Sequence, residues 1–174
     1  MKIGLGADPF GLELKEVVKQ HVLALGHECI DLGGTADEAR PFYDIAHELA
    51  KKVGAGEWDR GILVCGTGMG MAIIANKHPQ VYAAVCEDPS AAAKARSINN
   101  ANVLTMGGMV TEPYKAREII DAFLATGFKA GWDEEVQAFL DRSMVEIHRI
   151  ESQEFKESGP RTKSVIDGSE PGHL

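Results

Sequence analysis

The stretch Gly61-Ile62-Leu63-Val64-Cys65-Gly66-Thr67-Gly68-Met69-Gly70 decides the fold. Its first half is a continuous apolar run, the pattern of a strand buried on both faces. In its second half glycine at alternate positions ends that strand and opens a loop. Upstream, residues 3–7 repeat the buried-strand pattern. Residues 11–25 follow, with Leu14, Val17, Val18, Val22 and Leu25 at helical spacing and Gly26 as a stop. Residues 29–32, 81–86 and 102–106 supply three more strands. Between and after them lie helices marked by Phe42, Ile45, Ala46, Leu49 and Val53, by the Ala-rich segment 89–97, by Ile119, Ile120, Phe123 and Leu124, and by Val136, Phe139, Leu140, Met144, Ile147 and Ile150. Strand and helix in alternation predict an α/β fold, a five-stranded parallel sheet with helices on both faces. One domain is expected over 1–151. Residues 152–174, rich in Ser, Gly, Pro, Lys and Glu, read as a C-terminal tail that is either flexible or wrapped on a partner subunit.

The 174 residues carry 26 acidic against 18 basic side chains, a formal charge of -8. That balance argues against a nucleic-acid or anionic-membrane surface. No apolar run nears the roughly 20 residues of a membrane span, and the first residues lack a signal-peptide core. A cytoplasmic location is therefore expected, with Cys29, Cys65 and Cys86 as thiols rather than disulfide partners. None of the three has C-x-x-C spacing, so neither a zinc site nor another metal is expected, and no cofactor fingerprint is present.

Ligands of open parallel sheets bind beyond the carboxyl ends of the strands. Two segments have that position: Gly6-Ala7-Asp8-Pro9-Phe10-Gly11 and the loop from Cys65 to Gly70. The glycines let amide N–H groups converge on an anion. The loop has neither the Lys-Ser/Thr ending of a Walker sequence nor the acid partner of a dinucleotide fingerprint. A thiol at the strand end facing those amides would favour its thiolate, able to take a proton from carbon while the amides hold the enediolate oxygen. The alternative for Cys65 is a small buried hydrophobe, which is also the reading of Cys29 and Cys86. Asp8 is either a turn former or an acceptor for substrate hydroxyls. Asn99 and Asn100 are either a helix C-cap or site residues, and Arg40 is a solvated charge unless its loop folds over the pocket.

Taken together, Gly6-Ala7-Asp8 with Gly11, the run from Ile62 to Gly70, Ala75-Asn76-Lys77 with Pro79, the segment from Ser97 to Val103 and Met106-Gly107-Gly108 resemble the RpiB/LacA/LacB sugar-phosphate isomerases over roughly residues 1–150. The resemblance implies a Rossmann-like three-layer α/β/α sandwich and a homodimer or homotetramer with interfacial sites. It also implies metal-independent aldose–ketose isomerisation of a sugar phosphate through a cis-enediolate. Cys65 would be the base between C1 and C2, supported by the hydroxyl of Thr67. The amides of Gly66, Gly68, Met69 and Gly70 would form the anion hole, with Asp8 and Asn99 on substrate hydroxyls.

The chain departs from the ribose-type pattern at informative positions. Pro9 and Ile98 stand where histidines are expected, the second of them the ring opener. Phe42 stands for a tyrosine, with Tyr43 adjacent, and Trp132, Val136 and Met109 stand for arginines. None of Pro, Ile, Trp, Val or Met can give phosphate a charged hydrogen bond. Three explanations follow. The substrate could need no ring opening, such as a tetrose phosphate, with Arg40, Lys77 or Arg96 holding its anion. The chain could instead be a LacB-like half that needs a LacA-like partner to supply His and Arg. A substrate without phosphate is the third. Failing these, the chain would be a non-catalytic sugar-phosphate binder.

Overall fold

The computed structural model describes residues 1–33 and 39–157. Five strands form one parallel sheet: β1 (Lys2–Ala7), β2 (Glu28–Asp31), β3 (Arg60–Cys65), β4 (Ala83–Val85) and β5 (Val103–Gly107), in the order β2-β1-β3-β5-β4. Six helices connect or follow them: α1 (Leu12–Ala24), α2 (Phe42–Gly54), α3 (Met69–Ala75), α4 (Pro89–Ser97), α5 (Pro113–Ala125) and α6 (Glu134–Glu157). The three-layer expectation holds. Two boundaries differ. β4 is shorter than residues 81–86, because as an edge strand it pairs with β5 alone, over three residues. α6 continues to Glu157, past the expected break at 151; residues 158–174 of the proposed tail lie outside the described residues. No helix among the described residues is long and apolar enough to cross a membrane.

The side-chain alternation of the inner strands sorts the core into two layers. On one face Ile3, Leu5, Ile62, Val64, Leu104 and Met106 pack against α1, α4 and α5 through Val18, Val22, Ala92, Ile119, Ile120 and Phe123. On the other, Leu63, Cys65 and Val103 meet α2 and α3 through Ile45, Leu49, Met71 and Ala75. Each fully buried Leu or Ile contributes roughly 1.5–3 kcal/mol of transfer free energy, so these two layers fix which side of β3 each residue faces. Cys65 thereby points to the side from which the loop into α3 departs.

The chain leaves β1 toward β2 in one direction and builds β3, β5 and β4 in the other. The strand order therefore switches between β1 and β3, whose carboxyl ends form the crevice. Asp8 follows β1 and Cys65 closes β3 at that point. Because β5, not β4, is the neighbour of β3, the segment after β5 flanks the same crevice.

Candidate active site

Three loops meet at the carboxyl edge, and main chain holds them together. Gly108 N–H donates to the Cys65 carbonyl at 2.7 Å and Met109 N–H to the Gly66 carbonyl at 3.0 Å, while Asp8 N–H donates to the Val64 carbonyl at 3.2 Å. Approach is so close that a Cβ on Gly108 would lie 2.4 Å from the Phe10 carbonyl oxygen. Gly68 has φ +78, in the left-handed region, and a Cβ there would sit 2.9 Å from the Met106 backbone. Only glycine satisfies both conformation and space at that position.

This turn of the chain aims the Gly68 N–H at the Cys65 sulfur, 3.1 Å from Sγ. Cys65 is 5% exposed, at the rim of the α2/α3 layer. Cys86, at 1%, is the inert thiol expected: burial, then the nearby Asp88, pushes it up to about 11. Burial likewise raises Cys29.

Thr67 is exposed, its Oγ1 accepting from Met69 N–H at 3.4 Å, and Met69 itself is solvent-facing at the start of α3. Asp8 forms the turn that the sequence allowed. Its carboxylate accepts from Phe10 N–H at 3.0 Å, capping a short 3-10 turn over Pro9–Gly11. It also lies buried beside the crevice. Burial raises its pKa, outweighing the Phe10 and Gly11 amides that favour the charged form. Arg40 reaches the same edge, but its guanidinium donates to the Leu32 carbonyl at 2.9 Å and to Glu48 Oε2 at 2.7 Å.

Asn99 does not join them within the chain. It is exposed in the turn after α4, at the amino end of the sheet, about 15 Å or more from Cys65 by strand length. Two of the cations considered for an anion belong to that end as well. Lys77 follows α3 there. Arg96 is 3% exposed, and its guanidinium donates to the Ala101 and Thr126 carbonyls and to Asn100 Oδ1. Burial lowers its pKa to about 10. Arg96 is therefore corrected from anion ligand to internal tie, because its Nε and Nη1 donors are spent on the Thr126 and Ala101 carbonyls and on Asn100. Trp132 lies under Lys94, whose Nζ is 4.4 Å from the ring centroid.

Sequence reasoning passed over Phe10 and read Met109 only as the place of a missing arginine. A Cβ on Gly66 would lie 3.2 Å from Met109 Sδ and 3.6 Å from Phe10 Cβ, so both flank the loop, 70% and 73% exposed. The signal was the Gly107-Gly108 pair just past a strand, which marks close backbone approach.

Comparison with known proteins places the chain among sugar isomerases. The Ribose/Galactose Isomerase family profile matches residues 3–139. A 4-deoxy-4-sulfo-D-erythrose isomerase of Clostridium sp. (strain MSTE9) is 43% identical over 157 residues, covering 90% of this chain and 99% of that protein. A D-erythrulose-4-phosphate isomerase of Pectobacterium atrosepticum is 39% identical over 75% of this chain and 87% of its own length. The ribose-5-phosphate isomerase B structure of Clostridium thermocellum superposes with TM-score 0.80 at 36% identity, covering 88% of this chain and 99% of that one.

Proposed function

The chain belongs to the ribose/galactose isomerase family and is an aldose–ketose sugar isomerase; from that premise we propose that its substrate is an acyclic four-carbon sugar with an anionic group at C4, a 4-deoxy-4-sulfo-tetrose in preference to a tetrose 4-phosphate. The observation that carries this reading is the 43% identity, over nearly its full length, to the 4-deoxy-4-sulfo-D-erythrose isomerase. The residue chemistry supports it. A sugar whose C4 bears sulfonate has no C4 hydroxyl to close a furanose, so Pro9 and Ile98 in place of acid–base histidines cost nothing. A sulfonate carries one negative charge against the phosphate's -1.5 to -2, which suits a crevice whose nearby cation, Arg40, is already engaged by the Leu32 carbonyl and Glu48.

In the proposed reaction the Cys65 thiolate takes the proton from C2 of the aldose. The electron pair moves into a C1–C2 double bond, leaving an enediolate whose oxygens meet the amides of Gly66, Gly68, Met69 and Gly70 and the Thr67 hydroxyl. The thiol returns its proton to C1, and the hydroxyl proton passes from O2 to O1, giving the ketose. Asp8 orients a hydroxyl. A second copy of the chain supplies Asn99 in a homodimer or homotetramer, and a LacA-like partner would supply His and Arg in its place. Exposed Phe10, Met69, Ile73 and Met109 around the loop form an apolar rim suited to that contact.

The test is deuterium uptake from heavy water into 4-deoxy-4-sulfo-D-erythrose, erythrose 4-phosphate and ribose 5-phosphate. Turnover is expected to be greatest with the sulfo sugar and to fall about 10²–10⁴-fold in Cys65→Ala. Preference for ribose 5-phosphate overturns the substrate, unchanged exchange in Cys65→Ala overturns the base, and no exchange with any of the three favours a binder or half-site subunit.

A further inference from the structure

Away from the crevice, two imidazoles face one another across the helical layer. His47 Nδ1 and His78 Nε2 stand 3.0 Å apart, with ring centroids at 4.8 Å and planes tilted by 50°. They come from different elements, each firmly seated. His47 is at mid-length of α2, between the fully buried Ala46 and Ala50. His78 is in the connection from α3 to β4, where its own N–H donates to the Ala75 carbonyl at 3.1 Å. The following Pro79 carbonyl is so near α2 that a Cβ on Gly54 would sit 2.7 Å from it. A cavity between these elements, lined by Lys51, Gly54, His78 and Gln80, opens beside the pair.

We propose that His47 and His78 form a two-nitrogen chelate for a late first-row divalent metal ion, Ni²⁺ or Cu²⁺, separate from the isomerase site. Metal–nitrogen bonds of about 2.0–2.1 Å closing on nitrogens 3.0 Å apart subtend about 94° at the metal. That is the cis angle of square-planar or octahedral coordination. A tetrahedral ion would need the nitrogens opened to about 3.4 Å, so the bite favours Cu²⁺ and Ni²⁺ over Zn²⁺. Without metal the two nitrogens share one proton, with one imidazole as donor. On binding, each neutral ring carries its proton on the remote nitrogen and turns a lone pair to the ion. Lys51 opposes the cation by one charge, which makes the site moderate rather than tight. Among the described residues no group of three or more His, Cys, Asp or Glu could hold a metal, so water or an exogenous ligand completes the sphere.

The experiment is calorimetric titration of the full chain with Ni²⁺ at pH 7.5, beside His47→Ala, His78→Ala and His27→Ala. The last is a control for the Met1 ammonium, which lies 3.5 Å from His27 Nδ1. One equivalent is expected in the parent and in His27→Ala. Loss of a second-shell group alone weakens metal sites about 10–100-fold, so both chelate variants should weaken by at least about tenfold. With Cu²⁺, electron paramagnetic resonance should show hyperfine coupling to two nitrogens in the parent and to one in either variant. No saturable binding in the parent, or unaltered binding in either His47→Ala or His78→Ala, overturns the proposal. If His78→Ala does not fold by circular dichroism, His47→Ala, on an exposed face, decides alone.

Discussion

At the carboxyl edge of the sheet the chain meets itself through backbone: glycines at 66, 68, 107 and 108 bring three loops together, bonded through the carbonyls of Val64, Cys65 and Gly66. At the amino edge side chains join the main-chain ties. Asn102 accepts from Tyr82 N–H and donates to the Gln80 carbonyl, both at 2.8 Å. Asn76 does the same for Ala83, at 2.7 Å and 2.9 Å, and Arg96 ties α4 to the start of β5 and the end of α5. The difference teaches where charge is free to act. Converging amides leave Cys65 and Thr67 facing the crevice, while the Asn and Arg side chains of the amino edge are spent on cohesion.

Breaking each edge at its defining group should therefore give opposite outcomes. Cys65→Ala is expected to lower kcat/KM by about 10³-fold, roughly 4 kcal/mol in the barrier, with little change in Tm. Arg96→Ala should do the reverse. It strands buried carbonyls and removes packing over Phe123, for a stability loss of about 2–4 kcal/mol. At about 2–4 °C per kcal/mol for a chain this size, calorimetry resolves that, while KM for the anionic substrate stays within twofold. A raised KM with unchanged Tm would return Arg96 to the role of anion ligand and erase the contrast between the edges.

The carboxyl edge was largely legible because its signals are local. A buried strand, alternate glycines and a terminal thiol lie within ten consecutive residues, and the Asp88 N-cap with Pro89 fixed the start of α4 at the expected residue. The amino edge was not legible, because its signals are tertiary. An Arg in the polar-looking stretch Lys94-Ala95-Arg96 reads as a surface cation until α5 is placed over it. Nothing local says that β5 inserts between β3 and β4; the turn carrying Asn99 lies at the amino end because it leads into a strand parallel to β3. The extra turn of α6 was missed for a simpler reason. Ser152 to Glu157 is polar, yet helix-compatible, with Phe155 as its one apolar residue.

The amino edge also carries a smaller test, in the way α6 is fastened. Glu151 accepts from Gln80 N–H at 2.5 Å and from the Tyr82 hydroxyl at 3.3 Å, while His148 stacks on Tyr82 with centroids 6.2 Å apart. Glu151→Gln removes the charge and keeps the size, so a stability loss of about 1 kcal/mol is expected.

Tyr82 reports on the same contact. Burial first, then the Glu151 charge and hydrogen bond, raise its pKa to about 12. In Glu151→Gln its phenolate absorbance should appear at lower pH than in the parent, though still above the ordinary tyrosine value, because burial remains. A tyrosine folded with a raised pKa supplies stability that is complete below the unfolded value near 10 and is lost as pH climbs toward 12. The parent's Tm should thus fall more steeply than the variant's across pH 10–12. Parallel curves would mean that the Glu151 charge does not reach Tyr82.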